Sequence, residues 1–567
     1  MPARLLSCVA ALSFLLAPAQ VRPADDQPKK TADQAQSPTL VVRIKSISDL
    51  ISDSKYLAAL AGQEDKVDQG ERILKDMVDD HGLKGIDIKR PLGLYGSLSP
   101  LAGVALIPVA DEKTLLEALE QFAVKAEKGE DGIYSVKSEA FPIPIPVYLK
   151  FANKYAYVTA QNKSALKDKL LDPETVLSSV RPAMISTRFH IDQIPEMPWK
   201  EMAIGHIELQ SALQQERKVP GETKAQAALR AQMIKSVSDH ALTLVKQGGE
   251  VEAFFDVDRK ANQLVAEFSV AGKPGSNMSK ALADLGQSRS MFAGLAGNQA
   301  ALNVLVHLAL PEELRKSFQQ VIHEGLHKGL ANEKDEAKRE QAKKLLHALE
   351  PTIKAGELDA AVTLRRPSDA KHYTLVVGVK VKDGQGIETA LEDFIQNLPE
   401  TDREKIKPNI ETVGDVKVHR IEAQKDFDEQ ARQLLGENPV FMAIRADGIV
   451  LAAGERGLEA LKSALTIEPK SGPQIEVEVS MASMAPTMAH GDANALKELQ
   501  KAAATAFKGA KDGDKIRFTL EGGKTLKARF TMDAAVATFI SQVSQNPALK
   551  DFNKPAKKKA AKKSDDD

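Results

Sequence analysis

Cysteine is nearly missing. Of 567 residues only Cys8 is one, and it lies inside an apolar N-terminal stretch. Past that stretch the chain has no means of forming a disulfide, a thiolate metal site or a cysteine nucleophile. Tryptophan is as scarce, with Trp199 alone, and aromatic residues make up 5% of the chain. That is too few for the stacking platforms that hold single-stranded nucleic acid. Charge of one sign is lacking as well: 77 Lys and Arg face 78 Asp and Glu, a formal net charge of -1. Nothing therefore draws the whole chain to nucleic acid or to anionic lipid. No segment has the roughly 20 apolar, charge-free residues that would span a bilayer. The composition predicts no nucleic-acid partner and no transmembrane segment.

What is present begins with an export signal. Arg4 supplies a positive start, Leu5 to Leu16 an apolar run, and Ala17-Pro18-Ala19 the small residues a signal peptidase reads. The expectation is a signal peptide over 1–24, cleaved after Ala19 or Ala24, and a mature protein in the periplasm or outside the cell. Cys8 precedes most of the apolar run, the wrong side for lipid attachment. Residues 25–38 and the Lys/Asp-rich tail over 547–567 have the polar, low-complexity composition of disordered segments.

The remainder repeats itself. VALIPVADEKTLLEALEQF (Val104 to Phe122) and VVGVKVKDGQGIETALEDF (Val376 to Phe394) align without a gap, sharing Val109/Val381, Asp111/Asp383, Leu119/Leu391 and Phe122/Phe394 among others. Each reads as a strand, an Asp at a helix N-cap, and an amphipathic helix. Val147 to Ala160 matches Val440 to Ala453, both hairpins feeding a helix. A further hairpin is plain in Ile516, Phe518 and Leu520, the Gly522-Gly523 turn, and Leu526, Ala528, Phe530 and Met532 returning. Its counterpart runs from Val251 to Val270. The chain thus reads as four modules, A1 (39–177), B1 (180–290), A2 (298–468) and B2 (472–546). Each is expected to be an antiparallel, hairpin-rich sheet burying one face against its own helices, an α+β architecture.

GIDIKRPLGLYGSL (Gly85 to Leu98), the Val104 to Phe122 unit, GIYSV (Gly132 to Val136) and the YAYVTAQNKSAL hairpin-helix together form a pattern. It resembles an uncharacterised family of exported bacterial envelope proteins, mainly over the A modules. The resemblance implies an exported α+β protein with no assigned catalytic residue. The proline-rich FPIPIP stretch (Phe141 to Pro146) departs from that pattern.

One motif carries chemistry: His323-Glu324-Gly325-Leu326-His327, an HExxH. On a helix His323 and His327 share a face and can present both imidazoles to Zn²⁺, while Glu324 can serve as general base on a metal-bound water. Against this stand Lys328 beside the second histidine and the helix-weakening Gly325 and Gly329, each costing ~1 kcal/mol relative to Ala. Leu330 and Glu333 occupy positions where one zinc-peptidase class continues with Gly and His. Glu340, Glu350 and Glu357 remain open as a third ligand. The corresponding stretch of the first copy, around Tyr56 to Gly70, has no histidine. Gly384-Gln385-Gly386 reads as a strand-to-helix turn and Gly523-Lys524-Thr525 as a hairpin turn, neither as a nucleotide loop. The other histidines are scattered.

These residues favour a non-enzymatic envelope protein, without cofactor, that binds a protein or lipid-like partner in a groove of its sheets. The alternative is a zinc-dependent hydrolase centred on His323, His327 and Glu324.

Overall fold

The computed structural model describes residues 38–63, 84–98, 101–121, 124–138, 146–167, 170–297, 300–332, 336–366, 370–489, 492–509 and 513–549. The export signal, nearly all of the 25–38 linker, most of FPIPIP and the tail from 550 lie outside them.

The chain is α+β, built on one antiparallel sheet of 20 strands. The first half supplies β1 (Leu40–Ser46), β2 (Pro91–Leu98), β3 (Leu101–Pro108), β4 (Val124–Lys128) and β5 (Tyr134–Ser138). It continues with β6 (Val147–Ala152), β7 (Tyr155–Ala160), β8 (Ile185–His190), β9 (Gly248–Asp258) and β10 (Gln263–Gly272). The second half supplies β11 (Ala300–Ala309), β12 (Glu357–Arg365), β13 (Thr374–Lys380), β14 (Ile406–Val413) and β15 (Val416–Ile421). It ends with β16 (Val440–Arg445), β17 (Gly448–Gly454), β18 (Ile475–Ser480), β19 (Lys515–Glu521) and β20 (Thr525–Asp533).

Pairings run β4-β5-β6-β7-β3-β2-β1-β8-β9-β10 to the middle. From the far edge they run β14-β15-β16-β17-β13-β12-β11-β18-β19-β20. The two orders correspond strand for strand, and β10 joins β20 at the centre. There Ala266 faces Phe530 and Phe268 faces Ala528, with Glu267 opposite Arg529 between them. The stretches read as four modules therefore meet edge to edge in a single sheet rather than as separate ones. The sheet's two outer edges are blunted: β4 carries Lys125, Glu127 and Lys128, and β14 breaks register between Lys407 and Glu411, across Pro408 and a left-handed Asn409. Charges, proline and a bulge are the usual protection of an open edge.

The helices follow from the same local rules. They include α1 (Ile47–Leu60), α2 (Glu112–Gln121), the pair α3 (Glu201–Gln215) and α4 (Lys224–Gln247), and α5 (Asn277–Gln287). After them come the pair α6 (Glu312–Asn332) and α7 (Glu336–Ala355), then α8 (Gly384–Gln396), α9 (Gly457–Leu465), α10 (Ala493–Ala506) and α11 (Ala534–Gln545). The expected caps are in place: Asp111 accepts from the Thr114 amide at 2.7 Å, and Asp383 from the Gly386 amide at 2.9 Å. Gly384 opens α8 because a β-carbon there would meet the Arg445 carbonyl oxygen at 1.7 Å. The glycines of that turn thus serve close packing.

The largest core lies on one face of the second half. Leu305, Ala361, Gly378, Val450, Ala443 and Val418 form one row in register across β11, β12, β13, β17, β16 and β15. Leu461 and Ala464 of α9 and the segment from Met291 to Leu295 cover this row. Asp359, 1% exposed, anchors that segment by accepting from the Ser290 hydroxyl and the Met291 amide, both at 2.7 Å. Phe292 then fills the hollow above Gly378 and Gly448.

Candidate binding surface

The row that is core in the second half turns ionic at the centre of the sheet. Leu305 is followed by Glu476, Thr519, Arg529, Glu267, Phe254 and Ser186 across β18, β19, β20, β10, β9 and β8. Arg529 contacts Glu267 at 3.0 Å, Arg517 contacts Glu478 at 2.8 Å and Glu476 at 3.1 Å, and Lys515 contacts Glu478 at 3.0 Å. On the first-half side Arg188 pairs with Glu252, and the Arg181 guanidinium lies 4.2 Å from the Phe254 ring centroid. Alternation along a strand places the intervening residues of the same strands on the other face.

That other face is open. Ile185, Phe255, Ala266, Phe530, Phe518 and Val477 stand in register across β8, β9, β10, β20, β19 and β18. Phe268 lies two residues along β10 from Ala266, flanked by Ala253 and Ala528. Phe268 is 47% exposed, Ile185 45%, Phe530 39%, Phe518 37% and Phe255 36%. Each module was expected to bury its apolar face against its own helices, and here the helices stay at the strand ends. The Cβ position of Gly272 at the end of β10 abuts Ser279 of α5, Gly286 of α5 abuts the Gly522-Gly523 turn, and α11 begins at the end of β20, its Ala534 amide bonding the Asn262 carbonyl. The middle of the strands, with its phenylalanines, is left to solvent. With neighbouring strands ~4.8 Å apart, the strip from β8 to β19 is about 19 Å long. Aromatic side chains present about 150–250 Å² each, so its five large members expose roughly 300–500 Å². A patch of that size is on the scale of the largest apolar patch of a typical single chain, which is often functional.

Sequence reasoning identified Phe518 and Phe530 as one face of a hairpin but took that face for core. Alternation is identical for a buried and an exposed face, so only the placement of the helices separates them. The pairing of β10 with β20, which brings Phe255 and Phe268 alongside, left no signal in either hairpin.

The HExxH does lie on a helix, within α6. His323 is exposed and Glu324 half-buried, while the His327 side chain lies outside the described residues. The carboxylates open as third ligands are held by cations. Glu340 pairs with Lys343, Glu350 with Lys354 at 2.8 Å and His347 at 3.4 Å, and Glu357 with Lys380 and with Lys382 at 3.2 Å. Among the described residues no group of three His, Cys, Asp or Glu is placed to hold a metal ion. Elemental analysis of the untagged chain is expected to find no zinc that His323→Ala removes. One zinc per chain, lost in that variant, would establish the hydrolase instead.

Glu357 sets a pH dependence of its own. Hydrogen bonding to Lys380, with further help from Lys382, holds its carboxyl below the ordinary glutamate value. A carboxylate whose pKa is lower folded than unfolded contributes stability that is complete above the unfolded value and is lost as pH falls through the folded one. The urea midpoint of Glu357→Gln should therefore lie below that of the parent at neutral pH and converge with it in acid. An equal gap at both pH values would show that the pair contributes no such linkage.

Compared with protein family models, curated proteins and solved structures, the chain matches none of them. The resemblance to exported envelope proteins gains nothing from these comparisons. Among the described residues no helix is long and apolar enough to cross a membrane.

Proposed function

We propose that this chain is a non-enzymatic, exported envelope protein that carries or scaffolds an elongated apolar ligand of lipid-like chemistry on the central face of its sheet. The supporting observation is the exposed row of Ile185, Phe255, Phe268, Phe530 and Phe518 on strands whose opposite face is ion-paired. A specific protein interface needs at least ~1,000 Å² in all, about 500 Å² per side, which the strip's roughly 300–500 Å² does not exceed. A chain-like apolar molecule lying across the strands needs only a lining of hydrophobic and aromatic side chains. The exposed members of the strip are all hydrocarbon, so it selects by length and shape rather than by headgroup. The shared strand order of the two halves supports the duplication read from the Val104 to Phe122 and Val376 to Phe394 segments, and the strip straddles the junction that such a duplication creates.

Native mass spectrometry of the chain recovered from an exported fraction without detergent tests this reading. The expected result is an adduct of lipid mass that exchanges for added long-chain fatty acid. A bare chain that takes up no acyl ligand would overturn it, and a co-purifying protein on the same strip would replace the lipid by a polypeptide.

A further inference from the structure

Outside the strip, α3 and α4 form a helical hairpin, and α4 also packs along α6. A groove of about 680 Å³ runs between α3 and α4, with Ile207, Gln210 and Gln214 on one wall and Leu229, Met233 and Val237 on the other. Met233 is 53% exposed and Val237 70%, so the same face carries both a hollow and projecting apolar side chains. Its one fixed charge is spent internally. The Arg230 guanidinium donates to both Glu222 oxygens, at 3.0 Å and 3.2 Å through Nε, and to the carbonyls of Gln214 and Arg217. The rest of the polar lining is amide, hydroxyl and the His206 imidazole.

We infer that this face is where a second copy of the chain docks, two hairpins closing into a four-helix bundle. Three features single out a second copy. A two-fold interface uses one patch twice, so it must supply both knobs and hollows, as this face does. It must also bring no like charges together, and a face whose arginine is already neutralised by Glu222 brings none. An acidic or basic partner would find nothing here to pair with. The area suffices as well. At 1.5 Å per residue the 15-residue α3 is about 22 Å long and the 24-residue α4 about 36 Å. Helices about 10 Å across then present roughly 550–600 Å² per copy, or about 1,100–1,200 Å² for the pair, above the ~1,000 Å² of a specific interface.

Sedimentation equilibrium of the purified chain over a range of micromolar concentrations is the test. The expected mass is that of two chains. Val237→Glu and Met233→Glu, at exposed positions, should each raise the dimer dissociation constant at least ~100-fold by placing an unpaired carboxylate in the closed bundle. Circular dichroism melting confirms that each variant is folded, and Val237→Ser reads the same contact without a charge should Val237→Glu melt early. A single-chain mass at every concentration, or a dimer unmoved by all three variants, would overturn the inference.

Discussion

The double variant Phe268→Asp/Phe530→Asp is expected to weaken binding of a fluorescent long-chain acyl probe at least ~100-fold and to leave the chain folded. The two rings are equivalent across the central pairing, each opposite an alanine of the neighbouring strand. Each exposes about 80 Å² of apolar surface, some 40% of a phenylalanine's ~200 Å². At ~25 cal/mol per Å², covering both contributes up to ~4 kcal/mol, part of which is offset by the ordering of ligand and side chains. A ~100-fold loss corresponds to about 2.7 kcal/mol, within that range even before the cost of desolvating two carboxylates under an acyl chain. Folding should survive because both rings are part-exposed, at 47% and 39%, so losing each costs less than the ~3–5 kcal/mol of a fully buried phenylalanine. Thr519→Asp, next to Phe518 but on the ionic face, is the control. Its probe affinity should equal that of the parent, and a matching loss there would point to general damage of the sheet. Unchanged binding by a folded double variant would remove the strip from consideration.

The second large effect concerns stability. Phe292→Ala should cost about 3–5 kcal/mol, the range for truncating a fully buried phenylalanine. Total stabilities run to about 5–15 kcal/mol, so the urea transition of the second half should move far to the left. Phe292 is 1% exposed, and the glycines beneath it explain its fit: a β-carbon at Gly378 would come within 2.5 Å of the ring, and one at Gly448 within 3.2 Å. Gly378→Ala should accordingly destabilise by about 1–3 kcal/mol through overpacking. In the Phe292→Ala background the added methyl instead enters the vacated space. The two substitutions must then be non-additive, the double variant being more stable than the sum of the singles predicts. Strict additivity, or a loss below about 1 kcal/mol for Phe292→Ala, would show that the 291–295 segment does not close this core.

Much of this fold was legible locally. Ile516, Phe518 and Leu520 do face Met532, Phe530 and Ala528, and Asp111 and Asp383 do cap their helices. These features depend on residues close in sequence, where periodicity and capping chemistry act. What could not be read is which edges pair. Backbone hydrogen bonds between β10 and β20 are the same for any two strands of compatible length, and alternation names a face without naming its cover. The HExxH spacing also falls on a real helix, and the three candidate carboxylates Glu340, Glu350 and Glu357 are each paired with lysine. A third ligand is a property of tertiary placement, which no local spacing encodes.

The central pair Glu267–Arg529 has a bearing on which edges can meet at the middle of the sheet. Corresponding positions of the matched strands hold opposite charges, and they meet at the point where one half becomes the other. Two N-terminal halves joined through β10 in the same register would set Glu267 against Glu267, and two C-terminal halves joined through β20 would set Arg529 against Arg529. Only unlike halves neutralise the seam. The sheet therefore carries, at its midpoint, a rule of self versus non-self: opposite charges meet where β10 joins β20, and the symmetric mispairing of either edge with its own copy would set like charges together.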